Sequence, residues 1–163
     1  MNRLPNEPSH PPFRPKLDGC VSCDRRLARA MNECYQNVLY TIAAYLWRSL
    51  VVESCDGVLS ETFDSLAREE IEHFRLLGEL IHALGATPAL RKQVRIDPER
   101  YRADSKENCC ASLLRDAIRD EKYMIDCYQT LLGQTDDRVV RSILSHLLSE
   151  EHRHAEQLQK KLS

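Results

Sequence analysis

The sequence has little glycine, few aromatic residues and no excess of charge of either sign. Only 5 of its 163 residues are glycine, and Phe, Trp and Tyr together make up 6%. Scarce glycine disfavours a fold with many tight turns and is compatible with long helices. The formal net charge is −2. The sequence therefore lacks the excess of basic residues that is typical of nucleic-acid-binding proteins, and we expect no nucleic-acid partner.

Long apolar runs are also missing. No stretch approaches the roughly 20 consecutive apolar residues that span a membrane, and the N-terminus lacks the apolar core of a secretory signal. We therefore expect a cytoplasmic protein without a membrane partner. The seven cysteines are an odd number, and in the cytoplasm most of them are expected to be reduced thiols.

The N-terminal part of the chain differs in composition from the rest. Residues 1–19 contain five prolines and little periodicity. We predict an irregular arm there, packed on a partner subunit, followed by one domain over 20–163. Cys20 and Cys23 form a single C-x-x-C, which is half of a zinc or rubredoxin-type knuckle. A redox pair and ordinary thiols near a helix start remain the alternatives.

Two stretches pair a glutamate with a histidine three residues later. Glu70 and His73 lie in EEIEHFRLLGELIHALG, and Glu151 and His154 lie in SEEHRHAEQL. At about 100° per residue, each pair shares one helix face with a stripe of leucines and so points inward. A carboxylate in an apolar stripe is costly unless it is paired or bound to a metal. The repetition, about eighty residues apart, predicts a helical repeat built around a metal pair.

Apolar periodicity predicts four helices. The first covers about 24–53, the second runs from an N-cap at Ser60 to Gly85, the third covers about 110–132, and Asp136 or Asp137 begins the fourth. The third helix carries Glu121 on its apolar stripe, which makes a third inward carboxylate. The polar segment 89–108 is long for a helical connection. We therefore predict an all-α, up-down four-helix bundle with a long crossover between helices two and three.

The remaining polar and aromatic residues are assigned by their position relative to these stripes. Residues off the stripes are expected to face solvent: His82, His152, Glu69, Glu72 and Glu150. Tyr45 and Tyr128 lie on stripes and are expected in the core. The adjacent Cys109 and Cys110 are expected to pack at the start of a helix.

With DEKYMIDCYQTLL in the third helix, these motifs resemble the ferritin-like superfamily, close to the rubrerythrin and bacterioferritin di-iron proteins, over about residues 24–162. The resemblance implies a ferritin-like four-helix bundle. It also implies that Glu70 and Glu151 bridge two metals, that His73 and His154 each hold one, and that Glu121 is a terminal ligand. Two Fe ions are the implied cofactor, with Mn possible, and peroxide or O₂ is the implied redox partner.

The chain departs from the family pattern at several positions. The family places a terminal glutamate on helix one, seven residues before a tyrosine. The register that puts this tyrosine at Tyr45 puts Val38 in the glutamate's place. Glu33 points about 140° away from the stripe, so we expect it to face solvent. Met124 stands where rubrerythrin carries a second helix-three glutamate. Ile71 follows Glu70 where bacterioferritin carries its haem-ligating methionine, so we expect no haem.

Three functions remain compatible with the sequence. The first is a di-metal carboxylate protein of rubrerythrin type that reacts with peroxide or O₂. The second is a metal-binding or iron-handling protein with little turnover, which the valine at position 38 favours. The third is a metal-free helical scaffold, in which the inward histidines and glutamates satisfy one another. A homodimer is expected in each case, because most soluble oligomers are twofold.

Overall fold

The computed structural model of the protein describes residues 13, 15, 17, 21–97 and 106–163. These residues form four helices and no strand: α1 (Arg25–Val52), α2 (Gly57–Ala83), α3 (Lys106–Leu132) and α4 (Arg138–Leu162). The predicted all-α four-helix bundle is confirmed. Cys20, most of the predicted N-terminal arm and residues 98–105 of the predicted crossover lie outside the described residues.

Aspartates cap the N-termini of α1, α2 and α4. Oδ1 of Asp24 accepts hydrogen bonds from two backbone N–H groups at the start of α1, and Asp137 does the same for α4, as predicted. The predicted N-cap at Ser60 is wrong. Asp56 caps α2 instead, because its Oδ1 accepts the N–H of Leu59 at 2.8 Å and starts the helix at Gly57. The Ser60 hydroxyl donates to the carbonyl of Ser49, back on α1.

Helix α2 ends where the sequence predicts. Gly85 has a φ of +86°, in the left-handed region that glycine adopts without a Cβ clash. Its N–H donates to the carbonyl of His82 at 2.9 Å, which closes the last turn.

The order of contacts shows why the crossover is needed. The short turn at 53–56 makes α1 and α2 antiparallel neighbours. On α3, Asp120 contacts Arg48 and Tyr123 contacts Asn37, so α1 and α3 also run in opposite directions. Helices α2 and α3 therefore run the same way, and the segment that joins them must return along the bundle. This confirms the predicted crossover topology.

The apolar core is divided into two clusters by a polar layer. The first cluster contains, among others, Met31, Leu77, Leu80, Tyr128 and Leu144. The second contains, among others, Tyr45, Phe63, Leu66, Leu113 and Leu158. On α2, α3 and α4 the residues between the two clusters include the predicted inward glutamates and histidines. On α1, buried Val38 and Ile42 belong to the first cluster and Tyr45 to the second, so the apolar lining is almost continuous.

Phe13 and Leu17 of the N-terminal arm, and Val21 after it, contact their own chain. The ring of Phe13 stacks on His146 with centroids 4.2 Å apart, and Leu17 and Val21 pack against the first cluster. Among the described helices, none is long and apolar enough to cross a membrane.

Candidate metal centre

The five predicted ligand residues are brought together in the polar layer between the two apolar clusters. Glu70, Glu121, Glu151 and His154 are fully buried, and His73 is 4% exposed. They come from three helices, since α2 and α4 each contribute a glutamate and a histidine and α3 contributes Glu121. Each E-x-x-H spacing places both side chains on the inward face of its helix.

The four fully buried residues form the tighter part of the centre. Nδ1 of His154 lies 3.2 Å from Oε1 of Glu70, 3.5 Å from Oε2 of Glu151 and 3.6 Å from Oε2 of Glu121. One nitrogen or oxygen from each of these four residues lies within 4.8 Å of the others. A single cation in their midst would meet three carboxylates and one imidazole.

His73 lies on the other side of Glu70 and Glu151. Its Nδ1 is 3.1 Å from Oε1 of Glu151 and 3.4 Å from Oε2 of Glu70. The two imidazole rings are 5.5 Å apart between centroids. Helix α1 supplies no fourth ligand here, because the inward position is Val38, which is fully buried. The centre is therefore asymmetric. The His154 side has four possible ligand residues, which are His154 and three glutamates, and the His73 side has three, which are His73 and two glutamates.

Several buried polar atoms of the centre make no hydrogen bond within the described part of the chain. They are both carboxylate oxygens of Glu70, Oε2 of Glu121, Oε2 of Glu151 and Nδ1 of His154. Buried polar atoms are rarely left without a partner, because the desolvation cost is then not recovered. Carboxylate oxygens and imidazole nitrogens are the donor set of iron, manganese and zinc sites. These residues therefore fit a bound metal ion.

The buried charges shift one another's protonation. Burial by itself would lower the pKa of His73, but the charges of Glu70 and Glu151 raise it to about 10. Burial would raise the pKa of Glu151, but the charge of His73 and its hydrogen bond to Oε1 hold the pKa well below its ordinary value. Burial raises the pKa of Glu121. In the protein without metal, protons on the histidines thus offset part of the carboxylate charge.

Glu69 and Glu150 are not simple surface charges as predicted. Glu69 is only 32% exposed in its side chain, and its Oε2 lies 3.1 Å from Nε2 of His154. Arg153 contacts both Glu69 and Glu150. Burial opposes the ionised form of Glu69, but hydrogen bonds from His154 and Arg153 lower its pKa to about 2. Glu69 thus holds the outer nitrogen of His154, and the inner nitrogen faces the cluster.

A sequence signal for Glu69 does exist. Both motifs begin with a doubled glutamate, Glu69-Glu70 on α2 and Glu150-Glu151 on α4. The first glutamate of each pair lies about 100° from the stripe, at the boundary between core and solvent. Its contact with a histidine depends on how closely α2 and α4 pack. A helical wheel of one helix contains no information on the distance between α2 and α4.

The other assignments made from the stripes hold. His82, His152 and Glu72 are exposed. Glu33 faces solvent and pairs with Lys92 at 2.5 Å. Tyr45 and Tyr128 are fully buried, and Cys109 and Cys110 pack on the second apolar cluster. A cavity of about 100 Å³, partly lined by Phe13 and His146, opens beside His73.

Comparison with known families matches most of the chain. A family model described as a ferritin-like domain covers residues 28–163. None of the curated proteins matches the sequence.

Solved structures with the same fold come from several bacteria. A ferritin-like, diiron-carboxylate protein of Bacillus anthracis is 22% identical with a TM-score of 0.71, covering 85% of this chain and 96% of that one. The Rhodobacter capsulatus bacterioferritin, solved with a metal-free dinuclear site and haem iron, is 16% identical with a TM-score of 0.73, covering 87% and 86%. A dodecameric thioferritin of Bacteroides fragilis is 27% identical with a TM-score of 0.70, covering 90% and 89%.

Proposed function

The chain belongs to the ferritin-like domain family, and we propose that it binds iron at the buried Glu/His cluster and oxidises Fe(II) with O₂ or peroxide. The observation that carries this proposal is the set of buried carboxylate oxygens that converge on Nδ1 of His154 without hydrogen-bond partners. Three buried carboxylates need more positive charge than two imidazoles provide. Divalent cations supply that charge with the correct ligand chemistry.

Each protein residue has a distinct role in this proposal. Glu70 and Glu151 each direct one oxygen towards His73 and the other towards His154, and this arrangement supports a role in which both would hold two cations. Of the two histidines, Glu121 lies near His154 alone and would be a terminal ligand on that side. When bound, iron supplies the electrons and Lewis acidity for reaction with O₂ or peroxide. The apolar clusters above and below exclude water from the layer.

Tyr45 supplies a hydrogen-bond donor to one of the proposed ligands. Its hydroxyl donates a hydrogen bond to Oε1 of Glu121. Burial raises the pKa of Tyr45 well above its ordinary value, and the charge of Glu121 raises it further. The phenol therefore stays protonated and holds the Glu121 carboxylate in one orientation.

The asymmetry of the centre favours a second candidate function. Without a helix-one carboxylate, the His73 side offers fewer ligands and should hold its cation more weakly. Such a site suits a metal-binding or iron-handling protein with little turnover. Steady peroxide consumption with a reductant would support redox turnover, and bound metal without such consumption would support the second function. Manganese has similar ligand preferences and is the alternative metal.

The first experiment measures metal identity and stoichiometry by elemental mass spectrometry, before and after anaerobic loading with Fe(II). About two ions per chain would support a complete centre and justify assays of O₂ and peroxide consumption. About one would support binding on the His154 side alone. No bound metal after loading would refute the proposal and leave the metal-free scaffold.

A pair of variants ties the bound metal to the cluster. Glu121→Gln removes one buried carboxylate charge, and we expect it to lower iron bound per chain. Glu72→Gln changes an exposed glutamate on α2 and serves as the matched control. Unchanged iron in Glu121→Gln, equal to that in Glu72→Gln and the wild type, would show that the iron lies elsewhere.

We also propose that the protein is a homodimer. On α1, Leu46 is 46% exposed and Leu50, one turn later, is 71% exposed. Two large apolar side chains on one exposed helix face suit burial against a second copy. Light scattering after size-exclusion chromatography gives the mass. A dodecamer, as described for the Bacteroides fragilis protein, or a monomer would contradict the proposal.

A further inference from the structure

Two thiols from distant parts of the chain meet at one end of the bundle. Sγ of Cys55 lies 3.8 Å from Sγ of Cys110. Cys55 is in the short turn after α1, where its N–H donates to the carbonyl of Val52. Cys110 lies near the start of α3. The sulfurs of a disulfide are about 2 Å apart, so closing this pair requires the two sulfurs to approach by about another 2 Å.

The Cys55 thiol is open to reagents from solvent. Cys55 is exposed and Cys110 is partly buried. Both line a groove of about 630 Å³ that also contains Leu59, Leu114 and Lys161. A small oxidant can therefore reach Cys55 without any movement of the helices.

Its surroundings change the chemistry of the Cys110 thiol. Burial and the neighbouring Cys55 raise the pKa of Cys110 to about 11, so Cys110 remains a thiol at neutral pH. A thiol that is poorly ionised and partly covered reacts slowly with peroxide. Its contact with Cys55 places it to condense with that sulfur once the sulfur is oxidised.

We propose that Cys55 and Cys110 are a site of reversible oxidation, at which peroxide converts the two thiols into a disulfide between the α1–α2 turn and the start of α3. The Cys55 sulfur attacks one peroxide oxygen, the O–O bond breaks, and the proton of the thiol passes to the departing hydroxide, so that a sulfenic acid and one water result. The Cys110 sulfur then attacks the sulfenic sulfur. The S–S bond forms, the S–O bond breaks and a second water leaves. Two thiols are oxidised, one peroxide is reduced, and a dithiol reductant reverses the change.

This site is separate from the candidate metal centre. Cys55 precedes α2, and Glu70 lies thirteen residues beyond the first residue of that helix, which is about 20 Å at 1.5 Å per residue. The proposal therefore does not depend on iron binding. It can be tested on protein that is kept free of metal with a chelator.

The test is peptide mapping after oxidation of the full chain. Reduced protein is treated with one equivalent of hydrogen peroxide, blocked with iodoacetamide and digested with trypsin. Residues 49–68 carry Cys55, and residues 107–115 carry Cys109 and Cys110. We expect these two peptides to be joined in the oxidised sample and separated again by a dithiol reductant. We also expect a higher melting temperature for the oxidised protein, because the cross-link restricts the unfolded chain.

Adjacent Cys109 provides the matched control. Cys109→Ser should still give the joined peptides, and Cys110→Ser should lose them and leave Cys55 as a sulfenic acid. If the joined peptides persist in Cys110→Ser but disappear in Cys109→Ser, the disulfide is formed by Cys109 and not by Cys110. That result would overturn the proposal. So would wild-type protein in which Cys55 is over-oxidised or alkylated without any cross-link.

Discussion

The hydroxyl of Tyr45, on α1, donates a hydrogen bond to the Glu121 carboxylate, on α3. The opposite half of the bundle lacks the matching bond. Tyr128 follows Glu121 by seven residues, as Tyr45 follows Val38. The Tyr128 hydroxyl is fully buried and has no hydrogen-bond partner within the described residues. The tyrosine of each half thus faces the equivalent position of the other half. Tyr45 finds a carboxylate acceptor at Glu121, whereas Tyr128 finds the apolar side chain of Val38.

Removing the two hydroxyls should have unequal effects. Tyr45→Phe leaves a buried carboxylate oxygen without its donor and should destabilise the metal-free protein by about 1–3 kcal/mol. Tyr128→Phe removes a hydroxyl that has no partner, so stability should stay the same or rise. Urea unfolding in the presence of a chelator measures both. A larger loss in Tyr128→Phe would mean that its hydroxyl has a partner in solution.

Val38→Glu should complete the centre only when metal is present. Without metal, a further buried carboxylate should lower stability, on the order of 3 kcal/mol. With Fe(II), the same group should accept from Tyr128 and bind the cation near His73, which raises the iron bound per chain and reverses the stability loss. Val38→Gln is the neutral control. The prediction fails if iron stoichiometry and affinity in Val38→Glu equal those of the wild type.

Glu69 should act on the metal through His154. Its carboxylate fixes Nε2 of His154, so Glu69→Ala should weaken metal affinity by about 10- to 100-fold. Glu69→Gln keeps an acceptor oxygen and should recover part of that loss. Titration calorimetry with a divalent cation gives the affinities, with Glu72→Gln as the exposed control. Equal affinity in the alanine variant and the wild type would show that the contact is unimportant for binding.

The stability of the metal-free protein should fall at alkaline pH. The pKa of His73 rises from its ordinary 6.5 to about 10 on folding, because Glu70 and Glu151 oppose the burial effect. The stabilisation from its proton is complete below about pH 6.5 and is lost as pH rises towards about 10. Melting temperatures in a chelator should decline across this window.

Two variants separate this effect from general alkaline unfolding. His73→Gln should flatten the decline, and His82→Gln, at an exposed position on the same helix, should keep it. Metal-loaded wild type should also lose the decline, because the cation replaces the proton. A decline of the same size in His73→Gln would assign it to other groups.

Helical periodicity alone identified the inward faces. Because successive residues turn by about 100°, the positions of Glu70 and Glu151 fix those of His73 and His154 on the same face. The same local geometry placed Val38 inward and Glu33 outward, and the structure agrees on both. The long segment after Gly85 was enough to predict the crossover. These features depend on one helix or one connection at a time.

The tertiary structure decided every relationship that joins two helices. Glu69 contacts His154 because of how α2 and α4 are rotated and spaced, and Tyr128 lacks an acceptor because α1 presents valine opposite it. Cys55 and Cys110 meet only once the crossover has returned α3 to the end of the bundle where α1 stops. Rotation and spacing between helices arise from the packing of many side chains at once. A periodic pattern within one segment therefore does not contain them.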